Sequence, residues 1–189
     1  ELSGRYDEIG GAALLKELSQ IDPIRAAQLK AADKKRIVRA YEIWLLTGKT
    51  ATEHGEEMKR QGPAYDAAII ALNYGSRKRL YERIDERVDE MMASGLEAEV
   101  GALLNEGISP NSTALQAIGY KELLEAILGE VPVSEAVENI KQGSRRYAKR
   151  QLTWLRGKED IHWLTWGDEP DFEAGLCDSL KFLGTRGIC

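Results

Sequence analysis

The chain has 189 residues, a formal net charge of −5, a pI near 5.3 and 43% hydrophobic residues. That is enough for one ordinary domain or two small ones with a buried core, and it contains neither an apolar run long enough to span a membrane nor a secretory signal. Two cysteines, Cys177 and Cys189, and two distant histidines, His54 and His162, form no disulfide framework and no metal-ligand cluster, so a reducing cytosol is the expected compartment.

The first third reads as short helices. "GGAALLKELSQI" carries apolar residues at Leu14, Leu15, Leu18 and Ile21, a helical spacing. "DPIRAAQL" offers Asp22 as a cap and Pro23 at the first helical position. Asp33 is placed to cap a helix through Ile37, Tyr41 and Trp44 that ends at Gly48. The following "GKT" has the last letters of a phosphate-binding loop, G-x-x-x-x-G-K-[ST]. The first glycine of that pattern would fall on Ile43, and a helix rather than a strand precedes it. Gly48 is therefore read as the left-handed residue of a helix end. "TEHGEEMKRQGP" reads as a connection or a weak helix.

The pattern then changes. "YDAAIIALNYG" is a short apolar run that predicts a buried strand. Helices are expected from about Arg77 to Ser94, over "LEAEVGALLNEG", over "YKELLEAILGE", and from a cap at Ser134 through the basic segment that follows. "IHWLTW" is a candidate final strand, and "FEAGLCDSLKFLG" a loose helix. A lone buried strand needs neighbours to satisfy its backbone groups. That need, and a start at Glu1 rather than Met, lead us to expect a fragment or processed chain with more sheet upstream.

Four stretches carry candidate chemistry. From Lys141 to Lys158 there are seven basic residues and no acid. On a helix Lys141, Arg145 and Lys149 form one row, and Arg146, Arg150 and Trp154 the adjacent one. Lys141 to Arg156 spans about 22 Å, enough to touch several backbone phosphates. Trp154 is a candidate to stack on an unpaired base, or equally to be buried in a core. In "DKKRIVR", Lys34, Lys35 and Arg36 fill a first helical turn, where the dipole disfavours cations. They either face an anion or lie on a surface where Arg39 pairs with an acid such as Glu42. In "SRKRLYERIDERVDEMMASG", Arg87 takes a slot in the apolar stripe of Leu80, Ile84 and Met91. Its guanidinium needs an anion there, either a ligand diphosphate or a carboxylate, Glu90 or one from elsewhere in the chain. In "TALQAIGYKELL", Gly119 permits either a tight turn or the close approach of a ligand.

Together and in this order, "DKKRIVRAYEIWLLTGK", "RKRLYERIDERVDEMMASGLEAEV", "ALQAIGYKEL" and "RRYAKRQLTWLRG" resemble the bacterial tRNA dimethylallyltransferases, over about residues 10–165. The resemblance implies a phosphate-loop α/β core with a helical insertion domain. It also implies transfer of a dimethylallyl group from dimethylallyl diphosphate to the exocyclic amine of adenosine 37 of tRNA. Under it, residues 1–64 correspond to the insertion that grips the anticodon stem-loop, residues 65–165 to the C-terminal part of the core, and residues 166–189 to a tail. The supplied chain would then be mainly helical with one or two strands.

The family's tRNA-contact positions fall on Lys35, Arg36, Ile37, Val38 and Arg39, then on Gln116, Ala117, Ile118, Gly119, Tyr120 and Lys121. The last set is Lys149, Arg150, Gln151, Leu152, Thr153, Trp154, Leu155 and Arg156. Arg87 matches an arginine that helps hold the diphosphate. Lys35 stands where the family usually has glutamine, and Gln116 and Lys121 replace basic or arginine residues of some members. The family's phosphate loop, its Mg²⁺-linked threonine or serine and its aspartate base have no counterpart in these residues. Mg²⁺ is thus implied with ligands outside the chain, no catalytic residue is expected within it, and these residues alone are expected to be inactive. A cytoplasmic, monomeric enzyme is the corresponding expectation. The alternative is a non-catalytic RNA-binding helical module.

Overall fold

A computed structural model describes residues 2–188. They fall into two compact units divided in sequence between Ala67 and Ala68.

The first unit consists of α1 (Leu2–Ile9), α2 (Gly11–Ile21), α3 (Pro23–Ala27), α4 (Lys34–Thr47) and α5 (Ala51–Gln61). Its core gathers Leu14, Leu18, Ala26, Leu29, Ile37, Ala40 and Tyr41. α1, which the apolar spacing did not announce, joins α2 through Gly10 at φ 82°. Asp22 caps α3 as expected, accepting from the Arg25 N–H at 3.0 Å. It also accepts from the Thr52 N–H at 3.0 Å and the Thr52 hydroxyl at 2.6 Å, which ties the start of α3 to the start of α5. Only 3% of Asp22 is exposed. Burial pushes its carboxyl up, but the bonds from Thr52 and Arg25 outweigh that and hold it below the usual value.

Asp33 occupies the cap position of α4, yet its carboxylate accepts from the Lys30 N–H and caps nothing in the helix. Gly48 ends α4 at φ 71°, its N–H donating to the Trp44 carbonyl at 2.8 Å. Thr50 then opens α5. Its hydroxyl accepts from the Glu53 N–H while Glu53 accepts from the Thr50 N–H, a reciprocal capping box. The segment read as a connection or weak helix is thus a capped helix of eleven residues. Gly48-Lys49-Thr50 joins two helices, and Lys49 pairs with Glu57 at 2.7 Å.

The second unit consists of β1 (Ile69–Tyr74), α6 (Arg77–Ala93), α7 (Leu96–Asn105), a 3-10 turn (Ala114–Gln116), α8 (Tyr120–Ile127), α9 (Val133–Arg156), β2 (Ile161–Trp166) and α10 (Phe172–Thr185). β1 and β2 pair in parallel, with Ile69 opposite Ile161 and Tyr74 opposite Trp166. A parallel pair needs a crossover, and α6–α9 form it. β1 departs from the buried strand expected: Ala71 is buried, but Leu72 is 58% exposed. The long helix begins at Val133 after Pro132, so Ser134 lies within its first turn and is not the cap. Pro132 ends the preceding turn with extended backbone and fixes the start two residues early.

The core of this unit is Val88, Val100, Leu115, Leu123, Leu124, Ala136 and Ile140. α10 is anchored on β2. Trp166 lies over Gly175, where a Cβ would collide with the indole, and His162 stacks on Phe182 while bonding Asp178 at 2.8 Å. Cys177 is a free, exposed thiol, and Cys189 lies outside the described residues. No described helix is long and apolar enough to cross a membrane.

Candidate nucleic-acid interface

The basic run of α9 divides into two faces. Packing of α6 against α9 sets the α6 carboxylates opposite part of the run. Lys141 reaches Asp89 at 2.7 Å and Arg145 reaches Asp85 at 2.5 Å. The hydrogen bond to Asp89 holds the Lys141 ammonium above its ordinary pKa. The row Lys141, Arg145, Lys149 is therefore not one ligand-facing surface: its first two cations are joined to α6. Burial of the helix–helix seam accounts for this, because a half-buried cation is favourable only beside an acid.

The remaining cations point elsewhere. Arg146, Lys149, Arg150 and Arg156 make no ion pair with any described residue. Arg146, Lys149, Arg150, Thr153 and Trp154 line one shallow hollow that contains no acid. Trp154 is 63% exposed, which excludes its reading as a core residue. The Lys158 ammonium lies 4.6 Å from the Trp154 ring centre, and the Arg150 guanidinium 5.5 Å from that of Tyr147. An exposed indole ringed by cations offers a π-face beside positive charge, the combination on which unpaired bases stack. Of the other residues singled out here, Leu152 and Leu155 are half-buried, whereas Gln151 is exposed. The Thr153 hydroxyl turns back to the Lys149 carbonyl at 2.8 Å.

Beside this hollow runs a groove of about 550 Å³. Ile84, Arg87 and Met91 of α6, Ile118, and Tyr147 and Gln151 of α9 line it. Three of the stretches singled out in the sequence meet here. Arg87 is exposed rather than buried within its apolar stripe. Glu90, the acid expected to claim it, is held by Arg83 at 2.8 Å. Arg87 itself makes no ion pair or hydrogen bond among the described residues. An apolar groove with one free guanidinium suits a ligand that is part hydrocarbon and part anion.

The turn into α8 contributes unequally. Gln116, Ala117 and Ile118 are exposed, whereas Gly119 is buried at φ 101°. The Glu122 carboxylate reaches back to accept from the Gly119 N–H at 2.8 Å. Tyr120 donates to Glu99 at 2.5 Å, which raises the phenol pKa. Lys121 lies 3.8 Å from Glu125. Gly119 and Tyr120 thus shape the turn, and Ile118 is the residue that enters the groove.

On α4, Lys35 and Arg36 are exposed and make no ion pair among the described residues. Lys34 pairs with Asp7 at 2.6 Å and Arg39 with Glu42 at 3.2 Å. Ile37 has no exposed surface, and Val38 is half-buried. The Ile37 side chain packs into the core of the first unit and anchors α4 there.

The profile of a family described as IPP transferase matches residues 1–158. The chain belongs to the IPP transferase family. The IPP transferase match takes in α1 to α9 and stops before β2 and α10. The chain is 43% identical over 179 residues to a tRNA dimethylallyltransferase of Caldanaerobacter subterraneus, covering 94% of this chain and 56% of that protein. It resembles the crystal structure of a full-length tRNA isopentenylpyrophosphate transferase from Bacillus halodurans with a TM-score of 0.61 at 36% identity, over 98% of this chain and 56% of that one. A eukaryotic dimethylallyltransferase acting on tRNA gives a TM-score of 0.73 at 27% identity, over 91% of this chain and 46% of that one. The chain spans a little over half the length of these bacterial relatives.

Tyr147 escaped the reading of the sequence. Its position four residues before Gln151 was the available signal, since that spacing places both on one side of a helix. Among the described residues there is no cluster of three or more His, Cys, Asp or Glu that could hold a metal ion.

Proposed function

We propose that this chain supplies the tRNA grip and one diphosphate-holding arginine of a tRNA dimethylallyltransferase. The observation that carries the reading is the adjacency of two surfaces. An acid-free hollow holds Arg146, Lys149, Arg150 and exposed Trp154, and Tyr147 and Gln151 lead from the same helix into the groove of Arg87. Cations on the first surface meet the backbone phosphates of an anticodon stem-loop, while Trp154 stacks on an unpaired loop base. Lys35 and Arg36 add phosphate contacts from the first unit. The groove takes the donor, with its hydrocarbon against Ile84, Met91 and Ile118 and its diphosphate toward Arg87.

In the reaction so assigned, the amine of adenosine 37, turned out of its stack, attacks the allylic carbon of dimethylallyl diphosphate. The carbon–oxygen bond breaks with its electrons leaving on diphosphate, and Arg87 stabilises that charge. The amine proton passes to a base outside these 189 residues, in the segment to which we also assign the phosphate loop of an α/β core, with Mg²⁺ and the cytoplasm as setting. We read the enzyme as a monomer.

Two assays test this. The 189-residue chain is titrated with an anticodon stem-loop RNA at several salt concentrations, and tRNA modified by the intact gene product is examined for dimethylallyladenosine. Salt-dependent RNA binding together with prenylated tRNA is expected. RNA binding without prenylation by the intact gene product would favour a non-catalytic RNA-binding module. No RNA binding at moderate salt would remove the reading altogether.

A further inference from the structure

A further cleft adjoins the hollow, with which it shares Lys149 and Thr153. It has a volume of about 150 Å³ and sits where the end of β1, the start of α6 and the last two turns of α9 meet. Arg77, Lys149 and Arg156 line it, and no acid does.

The ion pairing of α6 makes Arg77 unusual. Its first turn holds three consecutive cations, where the dipole disfavours each of them. Lys78 lies 3.7 Å from Glu82, and Arg79 binds Glu86 and Glu169, each at 2.9 Å. Arg77 has neither an ion pair nor a side-chain hydrogen bond among the described residues. Lys149 and Arg156, seven residues apart on α9, fall on one helix face two turns from each other. They are likewise unpaired. Asn73, Tyr74 and Tyr81 also line the cleft, and none of their side chains makes a hydrogen bond to a described residue. Three like charges gathered in one concave site repel one another, a cost that an anion removes. Two guanidinium forks, an ammonium and neutral donors suit a tetrahedral oxyanion.

We propose that Arg77, Lys149 and Arg156 form a phosphate subsite. It extends the reading above, on which it rests, to Arg77, a residue to which no ligand has so far been assigned. The phosphate comes either from the RNA backbone or from the diphosphate of the donor. Both present the same oxygens, and Lys149 is shared with the hollow that holds the RNA in that reading.

The test compares R77Q with K78Q in the 189-residue chain. Both remove one positive charge from exposed neighbouring positions, but only Arg77 lines the cleft. Anticodon stem-loop RNA is titrated against KCl concentration, and inorganic diphosphate is titrated calorimetrically. If the RNA backbone fills the subsite, R77Q lowers the slope of log K against log salt by about 0.7–0.9 and K78Q does not. If the donor's diphosphate fills it, R77Q weakens inorganic diphosphate more than tenfold and leaves the RNA slope intact. Equal effects of R77Q and K78Q, or none from R77Q on either probe, would overturn the subsite. Should R150A still weaken RNA binding in that case, the RNA reading survives without it. Should the chain bind diphosphate through Arg77 but not bind RNA, the subsite stands and the RNA reading falls.

Discussion

Arg83 holds Glu90 at 2.8 Å, and Arg87, one turn along, acts on that carboxylate only through its field, with no ion pair. Three arginines at four-residue spacing on α6 thus have different fates. Arg79 and Arg83 are bound to carboxylates, while Arg87 faces the groove. The expected outcome of R87A is a loss of inorganic diphosphate affinity of at least tenfold in the 189-residue chain, with RNA binding near wild type. R83A leaves diphosphate binding weaker by a smaller factor, because the freed Glu90 competes for Arg87. Calorimetric titration of both variants checks this; equal affinity in R87A and wild type would remove Arg87 from the donor site.

The unpaired face of α9 predicts a graded response to substitution. R150A and R156A each lower the salt slope of RNA binding by about 0.7–0.9. W154A weakens binding by about 1–3 kcal/mol without changing the slope, since stacking releases no counterion. K141A weakens RNA binding less than either arginine variant, because its ammonium is already joined to Asp89. Fluorescence anisotropy across a salt series separates the three patterns.

Asp22 predicts a pH-dependent loss of stability. Its carboxyl is held below 3.8 in the folded chain, so its contribution is complete above that value and is lost as pH falls through the lower folded value. D22A leaves the half-buried Thr52 and Arg25 donors without their acceptor and destabilises by about 1–3 kcal/mol at neutral pH. Denaturant unfolding from pH 7 to pH 2.5 should show the two chains converging in acid; a constant gap across that range would assign the effect to packing.

Gly175 predicts a sign opposite to helix propensity. In a helix interior, alanine ordinarily stabilises relative to glycine by up to about 1 kcal/mol. Here the added Cβ meets the Trp166 indole, so G175A destabilises by about 1–3 kcal/mol. Thermal unfolding followed by tryptophan fluorescence measures it, and a raised Tm would show that α10 shifts to make room.

The Gly48-Lys49-Thr50 segment predicts a negative result for nucleotide chemistry. K49A leaves diphosphate binding unchanged, since Lys49 pairs with Glu57 at the junction of two helices. G48A lowers stability by about 1 kcal/mol through its left-handed backbone. Loss of diphosphate binding in K49A would reverse this assignment.

Local signals in the sequence specify most of the elements, because caps and periodicity act within a few residues. The Asp22-Pro23 start of α3, the Gly48 stop of α4 and the amphipathic helices α6 to α9 are all of this kind. Where the reading fell short, the deciding contact was local but weak, or distant. Thr50 and Glu53 make α5 a helix through two mutual hydrogen bonds that a polar composition conceals. Ser134 resembles a cap, yet Pro132 already sets the start of α9.

The candidate site divides along the same line. Sequence alone determined that a basic helix with Trp154, an arginine in the stripe of α6, and the turn at Gly119 belong to one family pattern, because each is a short run of residue types. Which cations remain free was decided only by tertiary structure. Asp85 and Asp89 lie more than fifty residues before the lysine and arginine they bind, and Glu90 joins Arg83 rather than Arg87. Ion pairing depends on separations of a few ångströms between side chains, and helical periodicity orders the residues of one helix without fixing which of them another helix will meet.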